Sequence, residues 1–280
     1  MEQHNILERI HAAYYELPAS ERRVADYVLL QYHDVQFMSI TQLADECGVA
    51  DATVSRFCRS LGLKGFNAFK IELAKLSGHK RQEEAPADSS TFEGRCRESA
   101  RLIQEAVSQT LDPLHHDLVE AVVELFEQAD QVLCIGNGGS MVMANECAHL
   151  FSTISPKFLS VADSHLQLSA IATMSTRSAV VLFSYSGATR NSLEVLELAA
   201  SRGIKTVLVT RYPKSPAANL ADHVLRCGSN EGPFQFGSIP ARVAQLALLD
   251  VLFREYYLRN QADCDQNIQQ IGAALSIKHI

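Results

Sequence analysis

The hydrophobic pattern divides the chain into two parts with different periodicity. Up to about residue 78, apolar residues recur at helical spacing, and no alternating strand pattern occurs. After residue 92, helical stretches alternate with short apolar runs at 131–136, 157–161, 179–184, 205–210 and, more weakly, 223–227. Continuous apolar runs separated by helices are typical of a parallel sheet covered by helices on both faces. The pattern therefore predicts an all-α domain followed by an α/β domain.

A segment without apolar periodicity separates the two parts. Residues 79–91 read HKRQEEAPADSST, and their mixed charge and single proline are typical of a linker. We therefore expect a helical domain over residues 1–78, the linker over 79–91, and the α/β domain with its flanking helices over 92–280.

Two short helices joined by a glycine turn are predicted within the first part. Ser39 and Gln42 have the spacing of a capping box, so the first helix should begin there. It should end near Cys47, because Gly48 can adopt the left-handed conformation. Asp51 is the expected N-cap of the second helix. Such a pair predicts a helix-turn-helix.

The second helix has an apolar face and a polar face. Its apolar stripe consists of Val54, Phe57, Cys58 and Leu61. Its opposite face is expected to present Thr53, Ser55, Arg56, Arg59 and Ser60. Small hydroxyl side chains allow a helix to approach base edges in the major groove, and arginine reaches guanine or phosphate.

Charge is distributed unevenly along the chain. The net charge is −7, yet residues 53–81 contain seven basic residues and a single acidic one, Glu72. A local basic stretch next to the polar helix face favours contact with phosphates. A small helical bundle whose charged face is solvated, or binds another protein, is the open alternative. The predicted DNA-binding residues are Ser39, Thr53, Ser55, Arg56, Arg59, Lys64 and Lys70.

Composition excludes several other classes of protein. No apolar run is long enough to span a membrane, and the first residues do not resemble a secretory signal. The seven cysteines are scattered and form no C-x-x-C, which fits reduced cytosol and argues against disulfides. No histidine has metal-ligand spacing with nearby carboxylates or thiols, so we assign no metal and no cofactor. We expect a cytoplasmic protein without a membrane partner.

A first glycine-rich loop follows the apolar run at 131–136. The loop consists of Gly136, Asn137, Gly138, Gly139 and Ser140, and a helical stretch follows it. A strand-to-helix turn of this kind exposes backbone N–H groups to an anion. A dinucleotide fingerprint would need glycine at Met141, although Asp163 resembles the acidic residue that binds ribose. A turn with a purely structural role is the third possibility.

A second loop follows the most apolar run in the chain. Its candidate phosphate ligands are Ser184, Ser186, Gly187 and Thr189, and again a helix follows. Hydroxyl groups donate neutral hydrogen bonds, which suit a phosphate that must also be released. Two such loops at the carboxyl edge of one parallel sheet predict a phosphate site there.

Both loops and the helical pair resemble known domains. S-x-S-G-x-T at 184–189, with G-N-G-G-S at 136–140, resembles the SIS (sugar isomerase) domain. Residues 39–76 resemble the helix-turn-helix of RpiR-type regulators, which join the two domains in this order. The resemblance implies a regulator that binds operator double-stranded DNA as a homodimer or homotetramer and whose SIS domain binds a phosphosugar effector. It also implies that Ser140, Ser184, Ser186 and Thr189 hold the phosphate.

An enzyme is the main alternative, because SIS domains also occur in aldose–ketose isomerases. Such a reaction needs a general base near the sugar. Glu231 is the first candidate, either as a base or as a sugar-hydroxyl ligand, and His165 is the second. A regulator needs only different affinities for the effector in two arrangements, so we expect no catalytic residue. A nucleotide-dependent oxidoreductase is the third hypothesis, which the missing glycine at Met141 disfavours.

Overall fold

The protein divides into two compact units, which are described separately. The computed structural model describes residues 6–81, 91–228 and 239–276. Within these ranges the first unit extends to Leu102, and the second begins at Ile103. The division lies inside one helix, Phe92–Leu111. Most of the expected linker, 82–90, lies outside the described residues, so the boundaries 1–78, 79–91 and 92–280 stay predictions.

The first unit is helical, as the sequence predicted. Its helices before the unit boundary are α1 (Ile6–Ala13), α2 (Ala19–Val35), α3 (Ile40–Cys47), α4 (Asp51–Ser60) and α5 (Phe66–Arg81), and α6 (Phe92–Leu111) follows. The predicted stripe of α4 is confirmed: Val54, Phe57 and Cys58 are fully buried. Phe57 packs edge-to-face on Phe69 of α5, with ring centroids 5.5 Å apart.

The second unit contains a five-stranded parallel sheet. The strands are β1 (Val132–Gly136), β2 (Phe158–Ser160), β3 (Ala179–Phe183), β4 (Lys205–Thr210) and β5 (His223–Arg226). They lie in the order β2-β1-β3-β4-β5, and each pair of neighbours is parallel. Every predicted apolar run is a strand of this sheet. The predicted fold class is therefore confirmed.

Helices cover both faces of the sheet. They are α7 (His116–Gln128), α8 (Gly139–Ser152), α9 (Ser164–Thr173), α10 (Arg190–Ser201) and α11 (Ile239–Arg259), and α12 (Gln261–Ser276) follows them. Alternate side chains of a strand point to opposite faces. Cys134 and Phe183 accordingly share a core with α7, α8 and α11, whereas Ile135 and Leu182 share one with α9 and α10.

The buried side of α11 differs from the sequence interpretation. Helical spacing suggested an apolar stripe of Ile239, Val243, Leu246, Leu249 and Leu252. In the structure Leu249 and Leu252 are buried as this stripe predicts, but Ile239 and Leu246 are exposed, and Ala241, Ala244 and Leu248 complete the buried side. Spacing could not decide the orientation, because α11 is apolar on nearly every side. No helix in the described ranges is long and apolar enough to cross a membrane.

Candidate DNA-binding and ligand-binding sites

The cap of α3 is formed as its sequence predicts. Ser39 Oγ accepts the Gln42 N–H at 3.1 Å, and the Gln42 side chain accepts the Ser39 N–H at 2.9 Å. Gly48 then ends the helix in the left-handed conformation, at φ 60°. Ser39 is buried and its hydroxyl serves this cap. Its position therefore gives it a structural role within the helix pair.

The start of α4 corrects one prediction. Ala50 is the N-cap, and Asp51 is the first helical residue. The Asp51 carboxylate instead accepts a hydrogen bond of 2.9 Å from Thr41 of α3. It thus joins the two helices at their turn. A carboxylate in the first turn of α4 also interacts favourably with the helix dipole.

The exposed face of α4 is narrower than predicted. Arg56, Arg59 and Ser60 are exposed, and Ser55 is half-buried. Thr53 was expected on this face, but it is buried, because its side chain lies against the rest of the unit. Its hydroxyl accepts a hydrogen bond of 3.0 Å from Arg56. The face available to a large ligand therefore centres on Arg56 and Arg59.

The two predicted lysines lie in different surroundings. Lys64 is exposed after the end of α4. Lys70 extends across the unit and donates a hydrogen bond of 2.9 Å to the carbonyl of Met38. Burial lowers the pKa of Lys70 to about 8. Lys70 thus supports the backbone next to the Ser39 cap, whereas Lys64 remains available at the surface.

The first glycine-rich loop connects β1 to α8. Gly136 is buried, and a Cβ at this position would lie 2.7 Å from the Ser140 backbone, so the turn requires glycine here. Gly138 has φ 54° and stands at the N-cap of α8. The Ser140 N–H donates to Asn137 O at 3.0 Å. The Met141 N–H likewise donates to Gly138 O at 3.1 Å, so the turn itself uses both amides, and the dipole of α8 still favours an anion at this end.

The second loop contains a chain of three hydroxyl groups. Ser184 follows β3 and is buried, and Thr189 is the N-cap of α10. Ser192, in the first turn of α10, donates to Ser184 Oγ at 2.8 Å and lies 2.6 Å from Thr189 Oγ1. A hydroxyl has one hydrogen, so Thr189 donates to Ser192 in this chain. The hydrogen of Ser184 is left to reach a ligand, whereas that of Thr189 is directed inwards.

The turn of the second loop is tightly packed. Gly187 has φ 57°, and its carbonyl accepts the Ala217 N–H at 2.9 Å. A Cβ at Gly187 would lie 2.6 Å from Ser215 Cβ. Ser186 is half-buried, and its Oγ accepts the Ala188 N–H at 3.3 Å. The loop after β4 therefore fixes the shape of the second loop.

The two loops are adjacent, as their positions in the sequence predicted. β1 and β3 are neighbours in the sheet, with Gly136 paired to Phe183. The Asn137 side chain donates a hydrogen bond to Asn191 of α10. In the strand order 2-1-3-4-5 the connections diverge between β1 and β3, and ligands of open α/β sheets bind in that crevice. Both loops thus lie where this fold binds small molecules.

Three residues at this edge were missed in the sequence interpretation. Ser192 and Asn191 lie inside a helix, and the only signal for Ser192 was its position three residues after the Thr189 cap. Gln167 of α9 is fully buried and donates to the carbonyls of Gly136 and Val161, at 3.1 and 2.9 Å. A single glutamine in a helix gives no pattern that would have indicated this role.

The two candidate general bases are Glu231 and His165, and the described residues show no catalytic group built around either. Glu231 lies outside the described residues, so its role stays a prediction. His165 is exposed in the first turn of α9, where its N–H donates to the Asp163 cap at 2.9 Å. In the ranges that the structure describes, no three His, Cys, Asp or Glu side chains are grouped as a metal site would require.

Similarity to known proteins agrees with this division into two sites. Residues 4–79 match the helix-turn-helix domain of the rpiR family, and residues 125–254 match the SIS domain. The HTH-type transcriptional regulator HexR of Pseudomonas aeruginosa is 30% identical to this chain over 277 residues, covering 97% of this chain and 95% of HexR. The chain belongs to the RpiR family of transcriptional regulators. HexR of Escherichia coli is 28% identical over 276 residues.

A solved structure of another protein has the same fold over nearly the whole chain. Vibrio vulnificus NanR, solved in complex with ManNAc-6P, is 28% identical, with a TM-score of 0.87 over 97% of this chain and 98% of NanR. The resemblance to RpiR regulators inferred from the sequence is therefore confirmed. In this RpiR-family chain, the helix-turn-helix match contains α3 and α4, and the SIS match contains both loops.

Proposed function

We propose that this regulator binds operator DNA through α4 and that a phosphosugar held at the β1–β3 edge controls this binding. The ligand half of the proposal rests on the adjacency of two loops that bring hydroxyl groups and the starts of two helices to one crevice. Neutral donors of this kind bind phosphate oxygens without a permanent ion pair, so the ligand can dissociate. The NanR complex with ManNAc-6P supports a phosphosugar as the ligand.

The DNA half of the proposal is supported by the exposed face of α4. Arg56, Arg59 and Ser60 are exposed there, and Lys64 follows the helix. A recognition helix reads base edges with such side chains, while nearby lysines neutralise phosphates. The proposal retains the order of domains inferred from the sequence, with 1–78 for DNA, 79–91 as the connection and 92–280 for the ligand.

A regulator without catalytic activity is part of this proposal. The side chains that the two described loops bring together are hydroxyls and amides, which bind phosphate but are poor general bases near neutral pH. Ligand binding need only favour one arrangement of the regulator over another. We therefore include no residue in a catalytic role.

The proposal also includes a homodimer or homotetramer. Helix-turn-helix regulators read two half-sites about one helical turn of DNA apart, which requires two copies of α4. Leu246, Leu258 and Ile268 are exposed on α11 and α12, and a cavity of about 730 Å³ is lined by Phe253, Tyr257 and Ile271. Apolar surfaces of this kind are typical of interfaces. Light scattering after gel filtration tests the mass, and a monomer at micromolar concentration would contradict this part.

Crossed variants test the two sites. Fluorescence anisotropy would measure binding to DNA from upstream of the protein's own gene, with and without a panel of sugar phosphates. Arg56→Ala should lose roughly ten-fold or more in operator affinity and retain its affinity for the effector. Ser186→Ala should keep operator affinity and lose the response to the effector. Conversion of a sugar phosphate by wild-type protein that prefers no DNA sequence would overturn the proposal.

A further inference from the structure

A buried carboxylate lies directly behind the exposed arginine of α4. Glu21, in the first turn of α2, is only 4% exposed. Its Oε1 lies 4.0 Å from Arg56 Nε, and its Oε2 accepts a hydrogen bond of 2.8 Å from Ser60 Oγ. One carboxylate therefore contacts two side chains of the face that α4 exposes.

A second contact holds the same edge of the guanidinium. Arg56 Nη2 donates to Thr53 Oγ1 at 3.0 Å, and Thr53 is itself buried. Nε and Nη2 form one edge of the planar guanidinium, so this edge lies against Glu21 and Thr53. The edge formed by Nη1 and Nη2 keeps N–H groups pointing away from these contacts. The side chain is nevertheless 61% exposed, so this edge can meet a ligand.

The position of Glu21 is unfavourable for simple attraction to DNA. A negative charge close to the binding face repels phosphates and reduces sequence-independent affinity. An arginine held in one orientation, however, loses less rotamer freedom when it binds, because its orientation is already fixed. It also presents its N–H pair in the geometry that matches O6 and N7 of guanine. The carboxylate therefore favours discrimination between sequences at some expense of general affinity.

We propose that Glu21 is a positioning residue that directs Arg56 towards base edges in the major groove. Glu21 itself contacts no base in this proposal; it acts through Arg56, and Ser60 holds the carboxylate in place. The inference rests on the proposed binding of operator DNA by α4. It adds that sequence preference depends on a residue of α2, outside the helix that touches the bases.

The test compares specific with non-specific binding. Glu21→Gln removes the charge, while the amide oxygen can still accept the Ser60 hydrogen bond. We expect operator affinity to fall about ten-fold, the loss of roughly one well-formed base contact, while affinity for unrelated duplex is unchanged or higher. Glu46→Gln is the matched control, because Glu46 is an exposed carboxylate on α3. Its ratio of specific to non-specific affinity should equal that of wild type.

A double-mutant cycle separates positioning from a general structural role. In an Arg56→Ala background, Glu21→Gln should leave the affinity ratio unchanged, because its effect requires Arg56. An equal fall of the ratio in that background would overturn the proposal. An equal rise of the affinities for operator and unrelated duplex in Glu21→Gln would also overturn it, because that result would show only the loss of a repulsive charge.

A measurement without DNA keeps the inference falsifiable if variants fold poorly. The ¹⁵N relaxation of Arg56 Nε in free wild-type protein should be that of an ordered group, and in Glu21→Gln it should be that of a mobile one. A mobile Arg56 Nε in wild type would overturn the inference. If wild type and Glu46→Gln both lack sequence preference, both the proposed function and this inference are wrong. If Glu21→Gln keeps the sequence preference of wild type, this inference is wrong and the proposed function still stands.

Discussion

Ser192 Oγ donates a hydrogen bond of 2.8 Å to Ser184 Oγ, which connects the first turn of α10 to the end of β3. Both residues are buried, and Thr189 completes the chain of hydroxyls on the other side of Ser192. The chain uses one acceptor position of Ser184 and leaves its hydrogen available. Ser192 thus orients Ser184, the candidate residue for binding phosphate, and leaves the Ser184 hydrogen to make that contact.

Removing the Ser192 hydroxyl should weaken effector binding. Ser192→Ala leaves Ser184 free to rotate, and the loss of one oriented hydrogen bond corresponds to roughly a ten-fold rise in Kd for the effector. Isothermal titration with the sugar phosphate identified by screening would measure it. Ser201→Ala is the control, because its hydroxyl donates to Leu198 O at the far end of α10, away from both loops. Equal affinities of Ser192→Ala and wild type would show that Ser184 does not depend on this chain.

A side chain at Gly187 should destabilise the second unit. Alanine there meets two penalties, a φ of 57° and contact with the buried Ser215, so we expect a loss of about 3 kcal/mol in unfolding free energy. Gly203→Ala provides the comparison, because Gly203 also has positive φ (70°) but open space around it. Its expected loss is about 1 kcal/mol. Urea unfolding followed by circular dichroism measures both, and equal losses would contradict the packing argument.

Lys70 should make stability depend on pH in the alkaline range. Burial lowers the pKa of Lys70 to about 8, whereas an unfolded lysine titrates near 10.4. Between these values the unfolded chain binds more protons, so the contribution of Lys70 to stability rises with pH and is complete above the unfolded value. Below pH 8 both states are protonated, and the contribution does not change.

The comparison with Lys70→Met isolates this contribution from other titrating groups. The unfolding free energy of wild type minus that of Lys70→Met should rise by about 1 to 2 kcal/mol from pH 7.5 to pH 9.5. Lys75→Met serves as the control, because the Lys75 side chain is 55% exposed. A difference between wild type and Lys70→Met that stays constant with pH would show that Lys70 titrates normally.

The thiols beneath the first loop should be unreactive in the native protein. Cys134 and Cys147 are buried with their sulfur atoms 3.5 Å apart. The hydrogen bond to Cys147, together with burial, raises the pKa of Cys134 well above its ordinary value. Because the thiolate is the reactive form, iodoacetamide at pH 8 should label the exposed Cys96 first and spare this pair until urea is added. Mass spectrometry of digests would measure the labelling of each cysteine. Labelling of Cys134 as fast as that of Cys96 would contradict the expectation.

Much of the fold was predictable because it depends on local pattern. A strand buried on both faces must be apolar throughout, which is why 179–184 and 205–210 were recognisable. The cap at Ser39 and the break at Gly48 need only neighbouring residues. The adjacency of the two loops followed from the geometry of a parallel sheet.

What the sequence could not predict depends on packing between distant segments. Thr53 and Lys70 look like surface residues, and only the positions of the neighbouring helices bury them. Glu21 lies 39 residues from Ser60, so no local pattern connects them. For Asp51, two local arrangements compete, and the contact with Thr41 decides between them.

The hydroxyl and amide side chains that the two loops bring together, Ser184, Ser192 and Asn137, do not change their protonation between pH 5 and 9. A phosphate monoester, in contrast, loses its second proton near pH 6. Acid sensitivity that arises at these contacts would therefore originate in the phosphate. Through these contacts, a fall in pH would change effector binding by altering the charge of the ligand, while the three side chains stay uncharged.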